Sequence, residues 1–483
     1  MWSRIPYILF TILLLYGCTV TREFTGVDHQ IDLNEYPIWE GTTDSGTLAE
    51  LPFDEFFQSS ELLDLIETGL ENNYNLGLAI KSIEIAQSYY WQGKSAYFPT
   101  LSAGPQLTYG VRSENSGASG SRGFQGYQLG ANSSWEVDIW GKLKSQERAA
   151  FADYLTAHAG LKVVQTQLIS QIASLYYQLV ALDARKAVAE RTIQNWQSSV
   201  ETIRELKEAG TPSVTEVAVQ QNIAQMHFAE ALLVDIEQNI LLLENTLNTL
   251  LARPFQAIPR ESWMDIQLPS VLETGLPVQL LANRPDLRQL EFQIRSDFEH
   301  INIAKTAFYP TLTINAGAGL ESNHIGDFIN PGSIFANIAG GLMQPIFDRR
   351  QNKTRLEVSN KFYEQSILQY EQTFIQAVQE VTDALIIARQ SDEKLMHQEA
   401  QLAALDQAVE FSNELLNTGL ANYLEVLRAR DQVFSTELGL VDTRLQKISA
   451  VVSLYKALGG GWDPSSLGIT PAEVEDPAEN QEE

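Results

Sequence analysis

Cysteine is almost missing from this chain: of 483 residues, only Cys18 carries a thiol. An internal disulfide is therefore excluded, and with it a disulfide-built scaffold. Histidine is scarce too. His29, His158, His227, His300, His324 and His397 make neither an HxxxH nor an HExxH pattern, and no Cys/His cluster suggests a metal. No serine stands in a GxSxG elbow. Gly317–Ser322 (GAGLES) opens like a phosphate loop but lacks the last glycine and a following helix, so it reads as strand. These gaps leave no enzyme chemistry to assign and no cofactor to bind. Positive charge is also short. Lys and Arg number 33 against 61 Asp and Glu, the net charge is −28, and no basic run appears, which excludes a phosphate-tracking nucleic-acid binder. The acidic end, Pro471–Glu483, has the composition of a disordered tail. Long apolar runs are lacking except at the N-terminus, where IPYILFTILLLYG follows Arg4 and is too short to span a bilayer comfortably.

Glycine and proline are absent from Arg349 to Thr418. Within that run Ile367, Tyr370, Phe374, Val378, Val381 and Leu385 alternate steps of three and four, the seam of a coiled coil. At 1.5 Å per residue the run predicts a helix on the order of 100 Å long. Lys142–Ala209 is its counterpart, with Gly160 as the one weak point. Each run stops at a glycine, Gly210 or Gly419, suited to a left-handed helix end. A shorter returning helix is expected after each, over Ser213–Leu251 and Asn422–Leu458.

The chain also writes one phrase twice. KSAYFPTL (Lys94–Leu101) returns as KTAFYPTL (Lys305–Leu312), 211 residues later. ENNYNL (Glu71–Leu76) faces ANRPDL (Ala282–Leu287), VDIWGK (Val137–Lys142) faces PIFDRR (Pro345–Arg350), and GTPSVTEV (Gly210–Val217) faces GLANYLEV (Gly419–Val426). Four signposts in one order at nearly constant spacing mean an internal duplication. Its period far exceeds a solenoid unit, so the reading is one fold made of two similar halves.

Pro99 and Pro310 should end the helices before them, because proline biases its predecessor towards extended geometry. Strand-like sequence follows. Over Tyr127–Asp138 the residues Tyr127, Leu129, Ala131, Trp135 and Val137 face one way with Ser133, while Gln128, Gly130, Asn132, Ser134, Glu136 and Asp138 face the other. Leu312–Leu320 alternates more weakly. Each half should hold two strands joined by a Gly/Ser-rich loop, Ser113–Gly123 or Glu321–Ser333. Apolar-out, polar-in strands are the pattern of a transmembrane barrel, but a closed barrel takes about eight of them. Strands placed in lipid cannot leave an open edge. Several chains would have to pool theirs, and three would give twelve.

A helix, two strands, a long helix and a returning helix, written twice, resemble the outer membrane efflux protein family, the TolC-like outer membrane factors that include NodT-type lipoproteins. The most specific words are the two PTL hinges, TGLANYLEVLRARDQVF (Thr418–Phe434) and LYKALGGGW (Leu454–Trp462). The resemblance implies a mainly α fold with a transmembrane β portion: a homotrimer forming a 12-stranded barrel continued by a periplasmic α-barrel. It implies an exit duct for small molecules such as drugs, fed by a periplasmic adaptor and an inner-membrane pump of the RND type. The apolar N-terminus ending in Gly17–Cys18 resembles a lipoprotein signal. Cys18 would then carry a covalent lipid, and Thr19 would point to the outer membrane. The expected organisation is a signal peptide over 1–17, a lipid-anchored segment over 18–60, repeats over 61–272 and 273–460, and a tail over 461–483. By the same resemblance, Leu424, Glu425, Arg428 and Asp431 would form the periplasmic gate. Gly210, Thr211, Pro212, Ser213 and Val214, with Gly419, Leu420, Ala421, Asn422 and Tyr423, would be the tips that dock the adaptor. Glu425, Arg428 and Asp431 lie at i, i+3 and i+6, so they could also pair within one chain. Two other readings stand beside this one: a duct for type I protein secretion, and a lipid-anchored coiled-coil scaffold without a channel.

Overall fold

A computed structural model describes residues 20–26, 52–111, 113, 123–211, 214–266, 284–418, 420 and 423–460. Cys18, the acidic tail and the tip residues Pro212, Ser213, Gly419, Ala421 and Asn422 lie outside them. After a one-turn helix at Phe53–Phe56 come α1 (Ser60–Asn72), α2 (Tyr74–Ser95), β1 (Thr100–Val111), β2 (Gly123–Val137), α3 (Lys142–Glu208) and α4 (Glu216–Leu250). The second half runs α5 (Pro285–Thr306), β3 (Thr311–Ser322), β4 (Ile334–Met343), α6 (Gln351–Asn417) and α7 (Tyr423–Ala457). Paired elements match in length: 22 residues in α2 and α5, 67 in α3 and α6, 35 in α4 and α7. The duplication is thus a structural repeat. Gly160 does not interrupt α3, since one helical glycine costs only about 1 kcal/mol and 67 residues absorb it.

The chain divides into two compact units, of which one comprises residues 1–30, 82–157 and 289–370 and the other 31–81, 158–288 and 371–483. The first unit holds the sheet, a meander in the order β1-β2-β3-β4 with every pair antiparallel. Its helices pack Phe151 against Tyr90 (5.1 Å between rings) and Phe298 against Tyr363 (6.0 Å), and Leu155, Ile294 and Ile301 are buried in it. GAGLES lies in β3, as expected.

In the second unit Phe56, Phe57 and Tyr455 form an aromatic triad with centroids 4.6–5.4 Å apart, beside buried Leu62 and Ile66. The expected seam of α6 faces inward: Phe374, Val381 and Leu385 are buried and Val378 half-buried in this unit, and in the first unit Tyr370 is buried and Ile367 half-buried. Each repeat's first helix is tied to the end of its own returning helix. Asn73 donates from its amide to the Leu250 carbonyl (2.8 Å), and Arg284 donates to the Ala457 carbonyl (3.0 Å). Such carbonyls lack an intrahelical partner and must find another. Arg284 also reaches Asp286 (2.8 Å) and Glu380 (2.9 Å). Burial opposes its charge, but the two carboxylates outweigh burial and hold its pKa above the usual arginine value. Among the described residues no helix is long and apolar enough to cross a membrane.

Candidate functional site

The sheet register sorts all four strands into two faces. Leu101 pairs with Ser133, Ala103 with Ala131, Pro105 with Leu129, and Leu107 with Tyr127. Leu129 in turn pairs with Leu320, Trp135 with Ile314, and Val137 with Leu312. Leu320 pairs with Ile334, Ala316 with Ile338, and Leu312 with Leu342. Directly opposed residues share a face. One face is therefore largely apolar across the sheet, with Ser133 inside it and Gln125 and Ser322 towards the strand ends. The other carries Ser102, Gln106, Gln128, Asn132, Thr313, Asn315 and Asn337, interspersed with glycines and with Phe124, Phe335 and Met343. The apolar side chains are open: Leu101 and Ile338 are each 77% exposed, Leu107 70% and Leu342 68%. Contiguous exposed apolar surface of this kind marks a surface meant for lipid or another chain. Strands β1 and β4 each pair on one side only, so among the described residues both outer edges present unpaired backbone groups. Proline removes a ladder donor, and Pro105 stands in one of these edge strands.

Each proline hinge leaves carbonyls from the helix it ends, and side chains returning from the sheet take them up. In the first repeat the Trp135 indole N–H donates to the Tyr97 carbonyl (2.9 Å). In the second the Gln344 amide donates to the Phe308 carbonyl (2.9 Å). The Trp140 indole adds a bond to the Pro310 carbonyl (2.7 Å), and Asn352 one to the Ala307 carbonyl (2.9 Å). Both long helices then start under an aspartate. Asp138 accepts from the Lys144 N–H (3.0 Å) and Asp348 from the Asn352 N–H (2.8 Å), placing negative charge at a helix N-terminus. The repeated phrase thus marks the point where each half passes from helix to sheet, fixed by hydrogen bonds whose donors lie outside the phrase.

At the far end of the long helices both turns close in the same way. Thr211 N–H donates to the Leu206 carbonyl (3.1 Å) after Gly210 at φ +78°, and Leu420 N–H donates to the Leu415 carbonyl (2.9 Å). This six-to-one bond is the Schellman closure. Lys207 pairs with Glu216 across the first turn. The two turns share one core, in which Trp196, Ile203, Val214, Val219, Leu416, Tyr423, Val426 and Leu427 pack together. Val214 and Tyr423 therefore face inward, and Tyr423 is 2% exposed. Its hydroxyl donates to Asn222 Oδ1 (2.6 Å) and shares a hydrogen bond with the Ser199 hydroxyl (2.8 Å). Burial pushes that hydroxyl's pKa up, and Ser199, the Arg430 charge and Asn222 pull it partly back. Of the described tip residues, Gly210 and Leu420 are open to solvent and Thr211 is half-buried.

The four gate candidates sit in the first turns of α7. Leu424 packs half-buried against the tip core, while Glu425, Arg428 and Asp431 are exposed. Among the described residues no ion pair includes Glu425, Arg428 or Asp431. Their spacing permits a pair, but α7 displays three separate charges instead. No group of three or more His, Cys, Asp and Glu among the described residues could hold a metal ion. The tyrosine network and the hinge bonds escaped sequence reasoning because both join residues far apart in the chain.

Known proteins carry the same arrangement. The family model for outer membrane efflux protein matches residues 65–253 and 276–460. The toluene efflux pump outer membrane protein TtgF of Pseudomonas putida is 29% identical over 419 residues, covering 86% of each chain. The probable outer membrane lipoprotein SilC of Salmonella typhimurium is 26% identical over 461 residues, covering 94% of this chain and 97% of its own. A crystal structure of CusC superposes with a TM-score of 0.81 at 23% identity, over 92% of this chain and 100% of that one. With repeats, hinges and open sheet in place, the chain belongs to the outer membrane efflux protein family.

Proposed function

We propose that three copies of this chain pool their strands into a 12-stranded barrel in the outer membrane and serve as the exit duct of a multi-component efflux system. The observation that carries this reading is the largely apolar face that runs over four strands whose outer edges lack partners among the described residues. In hydrocarbon an unpaired edge costs several kcal/mol per group, so the sheet reaches lipid only when β1 of one copy meets β4 of the next. The apolar face then meets acyl chains, and Gln106, Gln128, Asn132 and Asn337 line water. The long helices continue the duct into the periplasm. Relatives named for toluene, solvent, cation and antibiotic efflux favour small-molecule cargo. A periplasmic adaptor and an RND-type pump complete the system. Cys18 carries the lipid, in keeping with a relative named as a lipoprotein.

Gating is assigned to Leu424, Glu425, Arg428 and Asp431. Threefold symmetry turns the three exposed charges into rings, where they pair between chains. The open Gly210 and Leu420 and the half-buried Thr211 meet the adaptor, with Val214 and Tyr423 supporting them from within. Single-channel recording in planar bilayers tests the reading. The parent should form a water-filled pore that is mostly shut, and Arg428→Ala or Asp431→Ala should open it more often or conduct more. Assembled trimers that never conduct would refute the duct, and unchanged traces in both variants would refute the gate.

A further inference from the structure

The helical tip carries a half-open cavity of about 370 Å³ built from α3, α6 and α7. Its polar lining includes Asn195, Ser199, Asn413 and Tyr423, and the Trp196 ring supplies an apolar wall. Among the described residues Arg430 is the only charged one that lines it, and no carboxylate does. Arg430 is half-buried and belongs to no ion pair among the described residues. Arg430 and Tyr423 both line the cavity from α7. A half-buried cation beside amides and hydroxyls, with no carboxylate among the described lining residues, is an incomplete arrangement. Guanidinium matches carboxylate with two parallel hydrogen bonds, and the amides can bond the remaining lone pairs.

We propose that this cavity is a carboxylate-binding site, with Arg430 as the anchor, Asn195 and Asn413 as flanking donors and Trp196 as the wall for the acid's apolar part. The volume lies at the small end of ordinary ligand pockets, which suits a single small organic acid or one Asp or Glu side chain from another chain. An occupant would touch the ends of α3 and α6 and the start of α7, holding together the turns of both repeats. Binding to this tip alone would stabilise it by mass action. The site is distinct from the exposed gate charges, and its occupancy is measurable whether or not the particle conducts.

The test is equilibrium dialysis of radiolabelled benzoate against the detergent-extracted full chain, with empty micelles as the blank and benzamide as the neutral competitor. Saturable binding near one benzoate per chain is expected, with benzamide unable to displace it. Arg430→Gln should weaken binding at least about tenfold, as loss of a charge-assisted bidentate contact implies, and Arg430→Lys should fall between. Benzoate should also raise the thermal unfolding midpoint of the parent and leave that of Arg430→Gln unmoved. N-acetylglutamic acid α-amide, competing better than benzoate, would identify a protein side chain as the occupant. The reverse order would identify a free acid. Absence of saturable binding, or equal binding by Arg430→Gln, would overturn the proposal.

Discussion

In the first repeat the last carbonyl of the returning helix is held by the neutral amide of Asn73; in the second it is held by the guanidinium of Arg284, which also grips two carboxylates. At the hinge an indole does in one half what a primary amide does in the other. The left-handed positions differ in the same manner. Gly141 (φ +76°) enters α3 where Arg349 (φ +52°) enters α6, whereas Ala252 (φ +49°) leaves α4 where Gly459 (φ +100°) leaves α7. Common to the halves is the backbone path and the set of polar groups that path leaves to be satisfied. Which donor satisfies them is free to drift. Glycine appears where a second demand falls on the position: a Cβ on Gly141 would stand 2.9 Å from Thr21 Oγ1.

Unequal donors should give unequal losses. Arg284→Ala strands Asp286 and Glu380 and frees the Ala457 carbonyl. It should cost about 2–3 kcal/mol, the upper range for lost charge-assisted hydrogen bonds, because Asp286 and Glu380 keep part of their hydration. Asn73→Ala frees a neutral bond and should cost about 1–2 kcal/mol. Unfolding midpoints of the two variants compare them directly, and equal shifts would contradict the unequal roles assigned here.

The two sheet faces offer the next contrast. Leu107→Arg places a charge on the apolar face and should cost up to about 2–4 kcal/mol of assembly. Thr108→Arg, one residue on and facing the other way, should be tolerated. The yield of assembled particles after membrane extraction measures both, and equal losses would remove the facial assignment.

Smaller effects of opposite sign are expected at the left-handed positions. Gly141→Ala should destabilise by about 1–2 kcal/mol through both its φ and the Thr21 contact. Ala252→Gly should be neutral or stabilise by up to about 1 kcal/mol, because it relieves a strained alanine at the price of unfolded-chain entropy. Thermal shifts of the same sign in both variants would contradict the account.

The helices, the hinges and the duplication were legible in the sequence because each rests on local chemistry. Arg349–Thr418 lacks any helix breaker, Pro99 and Pro310 cannot continue a helix, and Tyr127–Asp138 alternates without a slip. Strand β4, Ile334–Met343, was harder, since glycine and alanine dilute its alternation. Only the register shows that its Ile334, Ile338 and Leu342 continue the apolar face. At the tips, Tyr423 follows a turn glycine closely, a position suited to a docking surface. Its burial depends on Ser199 and Asn222, roughly two hundred residues earlier, and no local pattern carries that information. The hinge donors Trp135 and Gln344 were invisible for a related reason: they share a role without sharing a side chain.

The central claim is that one chain supplies one third of a closed barrel. Mass and rotational symmetry of the detergent-extracted particle test it most directly. The account predicts three chains about a threefold axis, with β1 of each chain paired to β4 of its neighbour in one continuous ring. A monodisperse single chain that keeps its full strand content in mild detergent would contradict it.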